Sequence, residues 1–349
     1  MTERKLCVIP GDGIGAEVTG AAVEVLQSVT DKIQIEYASA GWQTFCDEGD
    51  SVPTQTLDSI RDCGAALFGA VSSPSKKVDG YRSAILKIRQ ELGLSANLRP
   101  VNSDWNPSND SKEVDLIIVR ENSEGLYSGR ERKIDGGAIA EKVVTESASM
   151  QIGTWAARIA QGRDRKVSIA HKANVLPVSD GLFRDCVRGA IESHCEKDSI
   201  AITEGLVDIV AHRLVASPES FDVIVTTNLY GDILSDLAAY WCGGMGRAPS
   251  LNIGDSLAVA EPVHGSAPDI AGQGIADPSA TILALALLSR YHWQDNELAC
   301  QLENSVNIAT EQIGTQEFQT AKFTALARDA VSSTTIPVSY THLTLPTKA

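Results

Sequence analysis

The stretch from residue 6 to residue 26 constrains the fold most. Four apolar residues, Leu6-Cys7-Val8-Ile9, run into Pro10-Gly11-Asp12-Gly13, and then Ile14, Val18, Ala21, Ala22, Val25 and Leu26 recur at helical spacing. Strand, tight turn and helix follow one another with almost no linker. The pattern continues down the chain: residues 33–38 alternate like a strand, 54–61 predict a helix, and Ala65–Ala70 a buried strand. A helix is expected over 83–92, strands over 96–101 and 114–119, a helix near 146–161, and strands over 166–170 and 223–226. A helix starting at Asp232 and two closing helices complete the reading. Such alternation predicts an α/β protein with a parallel sheet and helices on its faces. Residues 121–142, rich in glycine and charge, give no period, and 243–278 is a Gly/Pro-rich stretch.

At 349 residues the chain can form two lobes or one large unit. Its 45 acidic residues against 30 basic ones, a net charge of −15, disfavour nucleic acid as a partner. Seven cysteines without a C-x-x-C pair read as reduced thiols, and with no leader segment the expected location is cytoplasmic. The longest apolar stretch, around Ala280–Leu288, is far short of the ~20 residues of a membrane span and reads as a core helix. Residues 336–349 turn Thr/Pro-rich and are expected to be a non-native or disordered tail.

Several residues can carry chemistry. Gly11-Asp12-Gly13-Ile14-Gly15 lacks the G-x-G-x-x-G of a dinucleotide fingerprint, so a tight strand-to-helix turn is its simpler reading. Arg89 lies on a helix, while Arg99 and Arg120 end apolar strands, so three guanidinium forks can converge on a polycarboxylate. Asp232 and Asp236 are four apart and share a helix face, which suits a hard cation such as Mg²⁺ or Mn²⁺; a helix cap is the alternative. Asp208, in the apolar run GLVDIV, is the natural third ligand. Lys172, at a strand end in the segment His171-Lys172-Ala173-Asn174, can relay a proton if other cations lower its pKa, and Tyr127 can be the complementary acid. Ordinary loop and packing roles remain open for both. The rigid small-residue loop from Glu261 to Gly272 lets a ligand approach backbone, and Asp269 there can hold a ribose by its hydroxyls and repel a 2′-phosphate.

These motifs agree with one family. GDGIG, GWQTFCDEGDSVP, LFGAVSSP, ANLRP, VRENSEGLY, HKANVLP, TTNLYGDILSD and EPVHGSAPDIAG, in that order over residues 5–310, resemble the metal-dependent β-decarboxylating 2-hydroxyacid dehydrogenases. GWQTFCDEGDSVP and FGAVSSPSKKVDGY look most like the homoisocitrate members. The resemblance implies a two-domain isopropylmalate/isocitrate dehydrogenase-like fold, not a Rossmann fold, with one domain from residues 1–99 and 253–335 and a central domain from 100–252. It implies a homodimer, or a tetramer, whose active sites borrow Lys172 and Asp208 from the partner. Arg89, Arg99 and Arg120 match the substrate clamp, with Ser83 and Asn174 also on the substrate side. Lys172 and Tyr127 match the proton-transfer pair, and Asp208, Asp232 and Asp236 the metal ligands. The loop 261–277 matches the NAD site: Glu261 near the nicotinamide, His264, Gly265, Ser266, Ala267 and Ile270 along the loop, Asp269 at the ribose and Asp277 at the adenine, where the family usually has Asn. Ile209 after the metal aspartate and the stretch Thr315–Thr320 also depart from the family pattern.

Ser83 matches the position that contacts a distal carboxylate in isocitrate-type members. The expected substrate order is therefore homoisocitrate, then isocitrate, then 3-isopropylmalate, which Ile85 and Leu86 keep open, with tartrate or malate behind. A regulatory paralogue that binds without turnover is the alternative of a different class.

Overall fold

The computed structural model describes residues 4–333 except 77, 109–111, 195–198 and 315–317, so the expected tail at 336–349, Cys195 and part of the departing stretch 315–320 lie outside the described residues. The first quarter of the chain forms β1 (Arg4–Gly11), α1 (Gly15–Val29), β2 (Ile33–Tyr37), α2 (Trp42–Glu48), α3 (Thr54–Cys63), β3 (Ala65–Ala70) and α4 (Ala84–Glu91). Next come β4 (Ala96–Asn102), β5 (Asp115–Glu121), β6 (Glu131–Ile134), β7 (Gly137–Ala140), α5 (Glu146–Gln161), β8 (Lys166–His171) and α6 (Ser179–His194). Then follow β9 (Ala201–Leu206), α7 (Val207–Ala216), β10 (Val223–Thr226), α8 (Asn228–Ala238), β11 (Pro249–Ile253) and β12 (Ala258–Pro262). Three helices close the described chain where two were expected: α9 (Ser279–Tyr291), α10 (Asn296–Ile313) and α11 (Thr320–Ser333).

Ten strands make one sheet in the order β2-β1-β3-β12-β11-β4-β5-β10-β8-β9. The expected all-parallel sheet is corrected at three steps: β12–β11, β11–β4 and β4–β5 are antiparallel. The cause is local. Only Gly254–Leu257 separate β11 from β12, closed by a Gly254 N–H to Leu257 carbonyl bond of 2.9 Å, and so short a link permits only antiparallel pairing. Both faces of the sheet are covered. Along β1, Leu6 and Val8 enter one core cluster while Cys7 and Ile9 enter another, the period-two split of a strand buried on both sides.

The apolar stretch around 280–288 is indeed a core helix, with Ser279 through Ser289 of α9 buried all round, and no helix among the described residues is long and apolar enough to cross a membrane. The six described cysteines are unpaired. Residues 131–140, which gave no period, form the two-stranded sheet β6–β7, exposed along nearly its whole length.

Candidate active site

The GDGIG turn places backbone rather than ligand. Gly11 and Gly13 adopt φ of +75° and +57°, and a Cβ on Gly13 would stand 2.0 Å from the Ser266 carbonyl, which accepts from the Ile14 N–H at 2.9 Å. The first turn and the loop after β12 are thus pressed together. Asp12 accepts from the backbone N–H groups of Trp42, Gln43 and Ser72 at 2.8–3.0 Å, capping α2 and fixing the loop after β3.

Those loops wall a cavity of about 380 Å³. Ser83, Ile85, Leu86 and Arg89 line one side, from the start and body of α4. Arg99, Arg120, Tyr127 and Asp232 line the opposite side, and Glu261, His264 and Gly265 close the end at β12. The three arginines of the sequence reading therefore do converge. Arg89, Arg99 and Arg120 are 7%, 8% and 1% exposed, so each needs local anions. Arg89 Nη2 donates to Glu261 Oε1 at 2.8 Å, Arg99 Nη1 to Asp236 Oδ1 at 3.0 Å, and Arg120 Nη1 to Asp232 Oδ1. Arg120 also gives Nη2 to Asn228 Oδ1 at 2.8 Å and stacks over the Tyr127 ring at 5.2 Å.

Helix α8 begins at Asn228, one turn before the expected start at Asp232. Asp232 is therefore not an N-cap, which removes the simplest structural reason for its charge. Gly231 lets the helix pass over Arg120: a Cβ there would lie 2.5 Å from Arg120 Cγ.

The electrostatics split the two carboxylates of this face. Burial acts to raise the Asp232 carboxyl, but Arg120, the Tyr127 hydroxyl at 2.7 Å and Arg99 outweigh it and hold the group below the usual carboxylate range. Asp236 goes the other way, raised by burial and by Asp232 against the pull of Arg99. Burial pushes Tyr127 up, as does its bond to Asp232, so its hydroxyl keeps its proton at neutral pH. Burial and the other two arginines pull Arg120 down to about 10, still a cation at neutrality.

Other expected site residues lie elsewhere. Lys172, just after β8, is paired with an anion: its ammonium donates to Asp208 on the first turn of α7, which holds that carboxyl low. Lys172, Asp208 and Asn174 are not among the residues lining the cavity. Asp208 is exposed rather than set in an apolar interior, and Val175, Leu176, Val178 and Ile209 around this region are exposed as well. In the loop after β12, Ala267 and Ile270 pack on Ile14, Val18 and Ala276, Ser266 hydrogen-bonds Ser72 at 2.8 Å, and Asp269 is exposed. Asp277 accepts from the Ser279 N–H at 2.9 Å at the start of α9 and pairs with Arg247 at 3.1 Å. The sequence reading missed the buried amides Asn97, Asn228 and Asn252, which hold the charged groups, and Asn122, which donates to the Leu94 carbonyl and Asn252 Oδ1; only Asn97 and Asn252 lie in strands, where an amide among mostly apolar residues was their one signal.

Asp232 and Asp236 offer oxygen ligands, but the described residues contain no group of three or more His, Cys, Asp or Glu able to hold a metal ion. Of the three expected carboxylates only Asp232 lines the cavity; Asp236 stands one turn further along α8, paired with Arg99, and Asp208 lies elsewhere. Toward a cofactor, His264 presents a buried Nε2 with no protein partner beside Gly265 at the cavity's end, a polar atom a bound ligand can satisfy.

Comparison with known proteins is concordant. The family model described as isocitrate/isopropylmalate dehydrogenase matches residues 5–335. An isocitrate/homoisocitrate dehydrogenase of Thermus thermophilus is 50% identical over 308 residues, covering 88% of this chain and 91% of its own. A 3-isopropylmalate/3-methylmalate dehydrogenase of Methanocaldococcus jannaschii is 44% identical over 293 residues, covering 82% of this chain and 85% of its own. The crystal structure of an isocitrate dehydrogenase from Methylococcus capsulatus superposes with a TM-score of 0.87 at 37% identity, covering 94% of this chain and 99% of that one. The chain belongs to the isocitrate/isopropylmalate dehydrogenase family and is an oxidoreductase, a β-decarboxylating dehydrogenase acting on a small molecule.

Proposed function

We propose that the protein oxidises and decarboxylates a 2-hydroxy tricarboxylic acid, homoisocitrate before isocitrate, with NAD as acceptor and Mg²⁺ or Mn²⁺ at the site. The observation that carries this reading is the convergence of Arg89, Arg99 and Arg120 on one cavity that Ser83, Tyr127 and Asp232 also line. Three guanidinium groups demand a multiply anionic ligand, and a hydroxyl at Ser83 gives a distal carboxylate a donor that an aliphatic wall would not. Curated relatives carry both the isocitrate/homoisocitrate and the isopropylmalate names, so the side-group pocket decides between them.

In this reading the arginines orient the substrate, and Asp232 and Asp236 hold the metal together with Asp208 of a second copy. A metal and NAD, when bound, supply a Lewis acid for the substrate's hydroxyl and carboxylate and an acceptor for its hydride. Lys172 of the second copy, once its ammonium has given up a proton, would take the hydroxyl proton as the neutral amine, and after carbon dioxide leaves, Tyr127 would give its hydroxyl proton to the enol carbon. Glu261, His264 and Gly265 take the nicotinamide side, and Asp269 the adenosine ribose, where a 2′-phosphate would meet its charge. The homodimer is part of the proposal, supported by the absence of Lys172 and Asp208 from the cavity lining and by exposed Ile209, Ile233, Leu237 and Tyr240. The two-domain division at 99–100 and 252–253 and a cytoplasmic location are further parts of the proposal; the strand order supports the first, because strands from the two chain ends fill one half of the sheet.

The test is a panel assay with Mg²⁺, NAD and homoisocitrate, isocitrate, 3-isopropylmalate or malate, on the parent and on Ser83→Leu. The variant is expected to lose roughly ten- to a hundredfold in kcat/KM on homoisocitrate and nothing on 3-isopropylmalate. An unchanged rate on homoisocitrate with native activity on 3-isopropylmalate would overturn the substrate assignment.

A further inference from the structure

A chain of buried amides joins the arginine end of the cavity to Glu261. In the antiparallel registers, Asn97 of β4 stands opposite both Asn252 of β11 and Arg120 of β5, while Ser250 of β11 stands opposite Glu261 of β12. Directly paired residues share a face, as do residues two apart in a strand, so Arg120, Asn97, Arg99, Asn252, Ser250 and Glu261 project from one side of the sheet. Asn97 and Asn252 are both 0% exposed.

Their hydrogen bonds run in one direction. Arg99 Nε donates to Asn97 Oδ1 at 2.8 Å, Asn97 Nδ2 to Asn252 Oδ1 at 2.9 Å, and Asn252 Nδ2 to Glu261 Oε1 at 2.7 Å. Arg89 Nη2 ends on the same Glu261 oxygen. A guanidinium only donates and a carboxylate only accepts, so the two ends dictate both amide orientations. Flipping either amide would set donor against donor and acceptor against acceptor in a dry interior, where unmet polar groups are costly. The chain therefore has one fully satisfied arrangement, and a ligand that orders one end orders the other.

We infer that Asn252, acting through Asn97, is a positioning residue that couples ligand binding at Arg99 to ligand binding at Glu261, so that hydroxy acid and nicotinamide nucleotide bind cooperatively. The inference rests on the reading above that Glu261 faces the nicotinamide side. Because the chain has no second satisfied arrangement, a ligand that fixes the position of Arg99 also fixes that of Glu261, and the second ligand meets a partner already held in place.

The experiment follows NADH fluorescence, titrating NADH in the presence of Mg²⁺ with and without saturating homoisocitrate, and homoisocitrate with and without saturating NADH. In the parent each ligand is expected to tighten the other by about fivefold or more. In Asn252→Asp, which points an acceptor at Glu261 and lowers the melting temperature, that factor falls to within about twofold of unity in the protein that remains folded. A merely structural residue would weaken both ligands and leave the factor unchanged, and an unchanged factor overturns the inference. If Asn252→Asp does not fold, Asn97→Asp keeps the acceptor toward Arg99 and loses the donor toward Asn252; cooperativity retained there overturns it equally. Absence of cooperativity in the parent, with normal turnover in the panel assay, sinks the coupling and leaves the proposed reaction standing. Absence of turnover on all four acids removes the reaction itself.

Discussion

The cavity and the surface around Lys172 carry complementary halves of one charge pattern. At the cavity three buried cations pair with Glu261, Asp232 and, just outside the lining, Asp236, and the side chains interlock through internal hydrogen bonds. Just after β8 a lysine pairs with an aspartate of α7 amid uncovered apolar residues. The first region satisfies its own charges within one chain; the second holds the groups that the proposed reaction would take from a second copy. The contrast teaches that a buried ion-pair network explains itself within one chain, whereas an exposed pair amid uncovered apolar residues calls for a test in the assembled protein.

The sharpest way to break this comparison is to mix two inactive variants. Asp232→Asn and Lys172→Met are each expected to lose about 10²–10⁴ in kcat. Co-refolded in equal amounts, they should recover roughly a quarter of parental activity, because half of random dimers are hybrids and each hybrid has one intact site. No recovery on mixing would place Lys172 in the same chain's site or outside the chemistry.

A smaller effect is expected from Ile233→Asp. If α8 packs against a second copy, burying that carboxylate costs about 2 kcal/mol, roughly thirtyfold in association. Light scattering should show a lower mass at micromolar concentration, with activity regained as the protein is concentrated. An unaltered mass would make the exposed apolar residues surface without a partner.

The smallest effect contrasts one carboxylate from each region in EDTA. Asp208 is held below its ordinary value, so what it adds to stability is present above about pH 4 and fades as the pH falls further. Asp236 is raised, so the native state binds its proton more tightly and loses stability as the pH climbs through the carboxylate range. At pH 7, Asp208→Asn should therefore lower Tm and Asp236→Asn raise it, each by about 1–3 °C, with the Asp208 effect erased by 0.5 M salt. Shifts of the same sign would mean the two carboxylates share one environment.

Where apolar period was strong, the chain could be read closely: helix α5 and strand β10 fall at the expected residues. Period fails where both faces meet water, as in β6 and β7, and where small residues mask a strand, as in β11 and β12. Neither β9 nor the helices α6 and α7 were read from the sequence; β9 is an edge strand only partly covered, with little apolar pattern to reveal it. At the site, the arginines were legible because each interrupts or ends an apolar run. The amides were not, because an asparagine carries no charge to announce it and its role exists only once β4, β11 and β12 are side by side. The expected cations around Lys172 could not be judged from sequence, since its true neighbour comes from α7, 36 residues on.

The hairpin of β11 and β12 is also the keystone of folding. Without it, β2-β1-β3 and β4-β5-β10-β8-β9 are two separate sheets, each with a bare inner edge. Those edges wait until residue 262 leaves the ribosome, and β3 then pairs with a strand almost 200 residues downstream. Long-range closure of this kind makes for slow folding and for nascent chains that offer open strands to one another. Synthesis halted anywhere between residues 121 and 249 should therefore yield chains that require a chaperone, whereas those released after α11 close both edges at once.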